Sequence, residues 1–155
     1  MLPTQKCTGC AACMNACALG CVTMQPNAQG FLYPAIDAAR CVRCGACERV
    51  CPVCVPAEKR PLPQTVLAAR VRDAAALEQS ASGGIAWLLA EGWLRAGGAV
   101  YGAAFDEEMV LHHIRVTDAA ELGRLQGSKY VQSDLREIYP LLREDLNAGR
   151  DVLFF

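Results

Sequence analysis

Residues 7–17 read CTGCAACMNAC and residues 41–51 read CVRCGACERVC. Both have the form C-x2-C-x2-C-x3-C. Cys7, Cys10, Cys13 and Cys17 recur as Cys41, Cys44, Cys47 and Cys51, each pair 34 residues apart (7 to 41, 17 to 51). All ten cysteines lie between Cys7 and Cys54, and residues 55–155 contain none. A disulfide framework normally staples the whole of a small secreted chain. Here the thiols are confined to one N-terminal module.

Structural zinc usually takes two C-x2-C pairs, which leaves the third cysteine of each run surplus. Iron–sulfur clusters use all of them. Three closely spaced cysteines on a tight turn reach three irons of one cluster, and in the two-cluster arrangement the fourth serves the other cluster. The spacing therefore predicts two 4Fe-4S clusters with crossed ligands. One takes Cys7, Cys10, Cys13 and Cys51; the other takes Cys41, Cys44, Cys47 and Cys17. Ala18 follows Cys17, whereas Pro52 follows Cys51. Cys21 and Cys54 stand outside the repeat. They read either as small buried apolar residues or as groups that replace a neighbouring ligand or tune a cluster.

Lys and Arg number 15 against 16 Asp and Glu, a net charge of −1. Residues 1–60 carry six basic and three acidic side chains, residues 61–155 nine and thirteen. Neither part has the strong basic face that nucleic acid requires. The start, MLPTQKC, reaches a cysteine before any apolar run forms, so no signal peptide is read. The most apolar stretch, IAWLLAEGWLRAGGAVYGAAF, is broken by Glu91, Arg95 and four glycines and does not read as a membrane span. These features favour a cytoplasmic, thiol-reducing setting.

Between the two runs, CVTMQ and GFLYPAI read as short strands around the turn PNAQG. PVCVPAEKRPLP, with four prolines, reads as an extended linker. Beyond it, TVLAARV (65–71), GAVYGAAF, MVLHHIRV and the terminal DVLFF are strand candidates, with Asp106, Glu107 and Glu108 as a solvated turn. Residues 84–95 hold helical spacing through Ile85, Leu88, Leu89 and Trp93. DAAELGRL is a short helix opened by Asp118. Residues 134–147 are helical with a kink or restart at Pro140. Alternating strands and helices imply an α/β layer with a largely parallel sheet. Trp87 and Trp93 read as core. His112 and His113 are adjacent on a strand and point to opposite faces, so they do not share a metal. The apolar ending Leu153, Phe154, Phe155 reads as an interrupted domain.

Ser80, Ser82, Gly83 and Gly84 stand where helix 84–95 begins. Free backbone N–H groups there favour a phosphate and glycine allows close approach; the plainer reading is a helix cap by Ser82. Gly127, Ser128, Lys129 and Tyr130 form a polar loop, in which a lone lysine is ordinarily solvated.

CTGCAACMNAC, GFLYPAID and CVRCGACERVCP resemble the N-terminal ferredoxin-like domain of the coenzyme F-420 hydrogenase/dehydrogenase beta-subunit family. SASGGIAWLLAEGWLRAGGAVYGAAFD and LQGSKYVQSDLREIYP are similar to its flavoprotein region. The cysteine runs are generic to ferredoxins; the SGG and GSKY segments point to this family. The resemblance implies α+β architecture: a two-cluster ferredoxin-like domain over residues 1–55, a proline-rich linker over 56–64 and a partial α/β flavoprotein domain over 65–155. It implies FAD held by Ser82, Gly83, Gly84, Gly127, Ser128, Lys129 and Tyr130. Lys129 would meet the flavin phosphate or ring, and Tyr130 would stack. Electrons would pass between a small reduced coenzyme, a deazaflavin or similar, and a redox partner protein or subunit. Family members continue beyond the VLF strand, so oxidoreductase activity is expected only with that part supplied. No catalytic residue is assigned. The rival expectation is a non-enzymatic two-cluster carrier with an incomplete, inactive α/β appendage.

Overall fold

The structure is a computed structural model that describes residues 6–55, 63–135 and 138–155. Of the predicted linker, residues 56–62 lie outside the described residues. The chain divides into two compact units. The first holds Met1–Pro61 and Asp134–Tyr139, the second Leu62–Ser133 and Pro140–Phe155.

The first unit has helix α1 (Ala12–Asn15), strands β1 (Val22–Pro26) and β2 (Leu32–Ile36), and helix α2 (Ala46–Arg49). The strands pair antiparallel from Val22 against Ile36 to Pro26 against Leu32. Their connection is fixed locally. Asn27 Oδ1 accepts from the N–H of Gln29 (3.0 Å) and Phe31 (2.9 Å), and Gly30 supplies φ +86°.

The cysteine repeat is also a backbone repeat. Gly9 and Ala11 have φ 70° and 57°; their counterparts Arg43 and Gly45 have 56° and 73°. Each second member opens a four-residue helix, α1 or α2. Two left-handed residues in three curl each run, and in the first run Cys7, Cys10 and Cys13 line one cavity. Glycine takes this conformation freely, but Ala11 and Arg43 do not. Such strain persists only where its surroundings hold it. Those surroundings are thin: buried Ala11, Cys13, Val22 and Met24, with Met14, Cys17, Leu32, Cys47, Cys51 and Tyr139 packed on them. Four of these ten are thiols. The Tyr139 hydroxyl donates to the Cys10 carbonyl at 2.9 Å, so the unit includes a residue far beyond the cysteine runs.

The second unit has helices α3 (Ala74–Glu78) and α4 (Ile85–Arg95), strands β3 (Ala99–Phe105) and β4 (Leu111–Val116), and a 3-10 helix (Ala119–Leu125). It also has α5 (Ile138–Asn147), which belongs to this unit from Pro140 onward, and β5 (Val152–Phe154). The sheet order is β4-β3-β5. β3 pairs antiparallel with β4 and parallel with β5, so the sheet is mixed rather than largely parallel. A hairpin through Asp106–Val110 forces the antiparallel pair. Asp106 Oδ1 accepts from Val110 N–H at 2.7 Å, as the acidic turn predicted.

α4 and α5 end alike. The N–H groups of Gly97 and Gly98 bond the carbonyls of Leu94 and Trp93; those of Gly149 and Arg150 bond Leu146 and Asp145. This is the Schellman closure, with Gly97 (φ +85°) and Gly149 (φ +72°) in the left-handed position. Each closure turns its helix directly into a strand, β3 or β5.

TVLAARV forms no strand. Val66 and Leu67 are 82% and 81% exposed; β propensity without a neighbouring strand is not enough. Helix 84–95 begins at Ile85, and DAAELGRL forms as the 3-10 helix. α5 starts at Ile138, which puts Pro140 in the first turn, where its missing N–H has no intrahelical acceptor to lose. Trp87 packs against the core of Ala90, Val100, Val116 and Leu122, but Trp93 is 37% exposed.

Among the described residues, one charge lies inside this unit. Asp145 on α5 is 3% exposed. It accepts from Tyr101 Oη on β3 (2.6 Å) and from Arg115 on β4 through Nε (2.7 Å) and Nη2 (2.5 Å). Arg150 Nε lies 3.3 Å away. The hydrogen bonds from Arg115 hold the Asp145 carboxyl below its ordinary range despite burial. Its contribution to stability is therefore complete above the ordinary aspartate value, about 3.9, and is lost as pH falls through the lower folded value. Replacing Asp145 by Ala strands Tyr101 and Arg115. The expected cost is about 3 kcal/mol, read as a lower denaturant midpoint at neutral pH, with less further loss of stability in acid than the parent chain shows. An unchanged midpoint contradicts this.

Candidate cluster site and a glycine-lined cavity

Gly9 and Ala11 turn the chain so that Cys7, Cys10 and Cys13 approach one narrow cavity in the first unit. Its lining includes these three thiols and Cys51, together with Met24, Pro34 and Val53. The structure thus brings the last cysteine of the second run to the first three of the first run. The Gly9 N–H points at Cys7 Sγ from 3.4 Å. Burial pushes the Cys13 thiol up to about 11. At Cys51 burial acts in the same sense, but the N–H groups of Val53 and Cys54 and the Cys54 thiol outweigh it and hold that thiol low.

The other set is tied through Cys21. Cys17 Sγ lies 3.3 Å from Cys21 Sγ. The Cys21 carbonyl accepts from Asp37 N–H (2.9 Å), and the Asp37 carbonyl from Cys41 N–H (3.1 Å). Cys17, Cys21 and Cys41 are therefore neighbours, close enough for Cys41 to act electrostatically on Cys21. The shared hydrogen bond lowers the Cys17 thiol and raises that of Cys21 to about 11. Cys47 packs against the unit's core from α2, and Cys44 is exposed.

Among the described residues, no three His, Cys, Asp or Glu side chains converge tightly enough for one metal ion. A single tetrahedral ion draws four sulfurs to about 2.3 Å from one point. A 4Fe-4S core places four irons between its thiolates and spaces them more widely. The donor set of soft thiolates suits such a cluster.

The second unit carries a separate cavity of about 470 Å³, within the size range of small-molecule sites. Ser82, Gly83 and Gly84 line it on one side and Gly127, Ser128 and Lys129 on another. Six of the seven residues predicted to hold a cofactor therefore share one cavity. Tyr130 is not among its lining residues and is 93% exposed. Trp87, Leu122, Leu125 and Phe155 supply apolar wall.

Gly84, at φ +72°, is the residue that caps α4, and it has no side chain to bond the helix's first N–H groups. Ser82 does not cap them as predicted. Gly83 is required for space. A Cβ there would lie 2.4 Å from the Ala69 carbonyl oxygen, while the Gly83 carbonyl accepts from Val71 N–H at 2.8 Å.

Lys129 is half-buried rather than fully solvated, and its ammonium is not free. Its Nζ donates to the carbonyls of Gln126 (2.8 Å), Leu125 (3.0 Å) and Arg124 (3.4 Å). It closes the end of the 3-10 helix, and burial lowers its pKa. Gln126 was not singled out in the sequence. It lines the same cavity, and its buried Nε2 has no hydrogen-bond partner. An unmet amide donor beside uncapped helix N–H groups suits an acceptor-rich ligand.

Gly83→Ala is expected to destabilise the chain by about 1–3 kcal/mol, because backbone must move. Gly92→Ala, on α4 where an added Cβ meets nothing within 4 Å, is expected to stabilise it by about 0.5–1 kcal/mol. Melting temperatures that move in the same direction would contradict this contrast.

Residues 6–55 match the family model of the 4Fe-4S dicluster domain. No curated protein matches the chain. Among the described residues, no helix is long and apolar enough to cross a membrane. The chain carries a 4Fe-4S dicluster domain over those residues, which supports iron–sulfur electron transfer.

Proposed function

We propose that the chain is the electron-transfer part of an iron–sulfur flavoprotein. The observation that carries this reading is the cavity lined by Cys7, Cys10, Cys13 and Cys51, three thiols of one run with the last of the other. Cys41, Cys44, Cys47 and Cys17 form the second set. Clusters held by these cysteines would supply a one-electron relay, and a flavin held by the residues of the second unit's cavity would supply two-electron exchange with a reduced coenzyme.

The protein's own residues set the conditions. Gly9 N–H donates toward the Cys7 sulfur, and Met24, Pro34 and Val53 keep the first site dry. Low dielectric and N–H···S bonds together set a cluster's potential. In the second unit, the open α4 N-terminus and Gln126 Nε2 offer donors to a phosphate or a ring carbonyl. Gly83 and Gly84 line that cavity with backbone, and each is glycine because a Cβ would meet Ala69 or Val71. Trp87, Leu122 and Phe155 exclude water from its apolar face. The redox partner is a protein or subunit, and the compartment is the cytoplasm.

A second reading rests on Lys129. Its ammonium is occupied by three carbonyls rather than offered to a phosphate, which favours a two-cluster carrier without flavin. Anaerobic reconstitution with iron, sulfide and FAD separates the two. Stoichiometric FAD retained through gel filtration supports the flavoprotein; none retained leaves the carrier.

Crossing is tested by iron content. The variant Cys7→Ala/Cys10→Ala should keep about four irons. Adding Cys17→Ala and Cys21→Ala should remove those four as well. If the added changes cost no iron, Cys17 belongs with its own run and the crossed sets are wrong.

A further inference from the structure

Cys21 lies outside the repeat: its counterpart 34 residues on would be Val55. It is nevertheless placed with care. Cys21 is 4% exposed, and its sulfur lies 3.3 Å from that of Cys17. A tight turn joins the two. Gly20, at φ +59°, donates its N–H to the Cys17 carbonyl at 3.0 Å. Arg40 straps this turn from the other side of the hairpin, donating to the Leu19 carbonyl at 2.6 Å and the Gly20 carbonyl at 3.5 Å. Cys21 immediately precedes β1, and its carbonyl accepts from Asp37 N–H just past β2. Both flanks of the residue are held by backbone bonds, so its sulfur has little freedom to leave Cys17.

A thiolate bound to iron has no proton to give. When Cys17 is such a ligand, the hydrogen between the two sulfurs belongs to Cys21. Each electron added to a cluster increases the negative charge on its sulfurs, so a donor to one of them favours the reduced form and raises the potential. We infer that Cys21 is not a ligand but a fixed S–H donor to Cys17, which raises the reduction potential of the cluster held by Cys41, Cys44, Cys47 and Cys17. This rests on the ligand sets proposed above. Burial of Cys21 makes the donor effective, because its S–H is shielded from water. Cys54, beside Cys51, is exposed, and water can replace its thiol. The two clusters are thereby made unequal.

The test uses the whole reconstituted chain, with Cys21→Ala and Cys21→Ser compared in iron content and in the potentials of both clusters. Alanine removes the donor, and serine keeps an O–H in its place. The expected result is full iron in both variants. One potential should fall in Cys21→Ala by at least threefold in the reduction equilibrium, about 28 mV at 59 mV per tenfold for one electron. The other potential should not move, and Cys21→Ser should restore most of the shift. Unchanged potentials in an iron-replete Cys21→Ala chain, or equal shifts in both variants, would overturn the inference and leave the ligand sets standing. Loss of about four irons in both variants would make Cys21 itself a ligand. That result overturns the inference together with the assignment of Cys17.

Discussion

A cluster of four irons needs four thiolates around a cube, and a curled run of three cysteines supplies only three. Everything in the first unit follows from bringing in the fourth. Paired left-handed residues at 9 and 11, and again at 43 and 45, curl each run. The short helices α1 and α2 then carry each chain toward its fourth cysteine. The β1–β2 hairpin holds the two copies at the separation that puts Cys51 beside Cys7, Cys10 and Cys13. Apolar burial in this unit is slight, and much of what is buried is sulfur. Cluster binding would therefore contribute to the folding of this unit, as metal does in other small metallo-domains.

The same chemistry changes the charge. Residues 1–60 carry +3 from side chains. An oxidised 4Fe-4S centre with its four thiolates carries about −2, so two centres bring the module to about −1. The basic excess of the cysteine module matches the charge it must hold rather than a polyanionic partner. The hydrogen bonds at sulfur, from Gly9 N–H to Cys7 and between Cys21 and Cys17, would serve the same balance.

Ligand spacing was legible because it is local: four cysteines in eleven residues have few other uses. The strained backbone at Ala11 and Arg43 was not, since no side chain marks a left-handed alanine or arginine. The pairing of β3 with β4 could be read from the turn at Asp106. TVLAARV misled because propensity says nothing about whether a neighbouring strand exists. Ser82 looked like a cap, but Gly84 takes that place and leaves the α4 N–H groups open. Lys129 looked like a free cation, but the 3-10 helix ends where its ammonium can meet three carbonyls. Gln126 gave no signal, because an unmet donor is visible only once its neighbours are in place. The meeting of Ser82–Gly84 with Gly127–Lys129 at one cavity was suggested by family resemblance alone, since no rule of spacing joins segments some forty residues apart.

The two units present different kinds of site, a thiol-lined one and a glycine-lined one, and the first is the one on which function rests. Its central claim is that the repeated cysteines hold two 4Fe-4S clusters. The most direct measurement is iron, acid-labile sulfide and zinc per chain after anaerobic purification and reconstitution. The account predicts about eight irons and about eight sulfides, without stoichiometric zinc. A chain that binds zinc and retains no labile sulfide would contradict it.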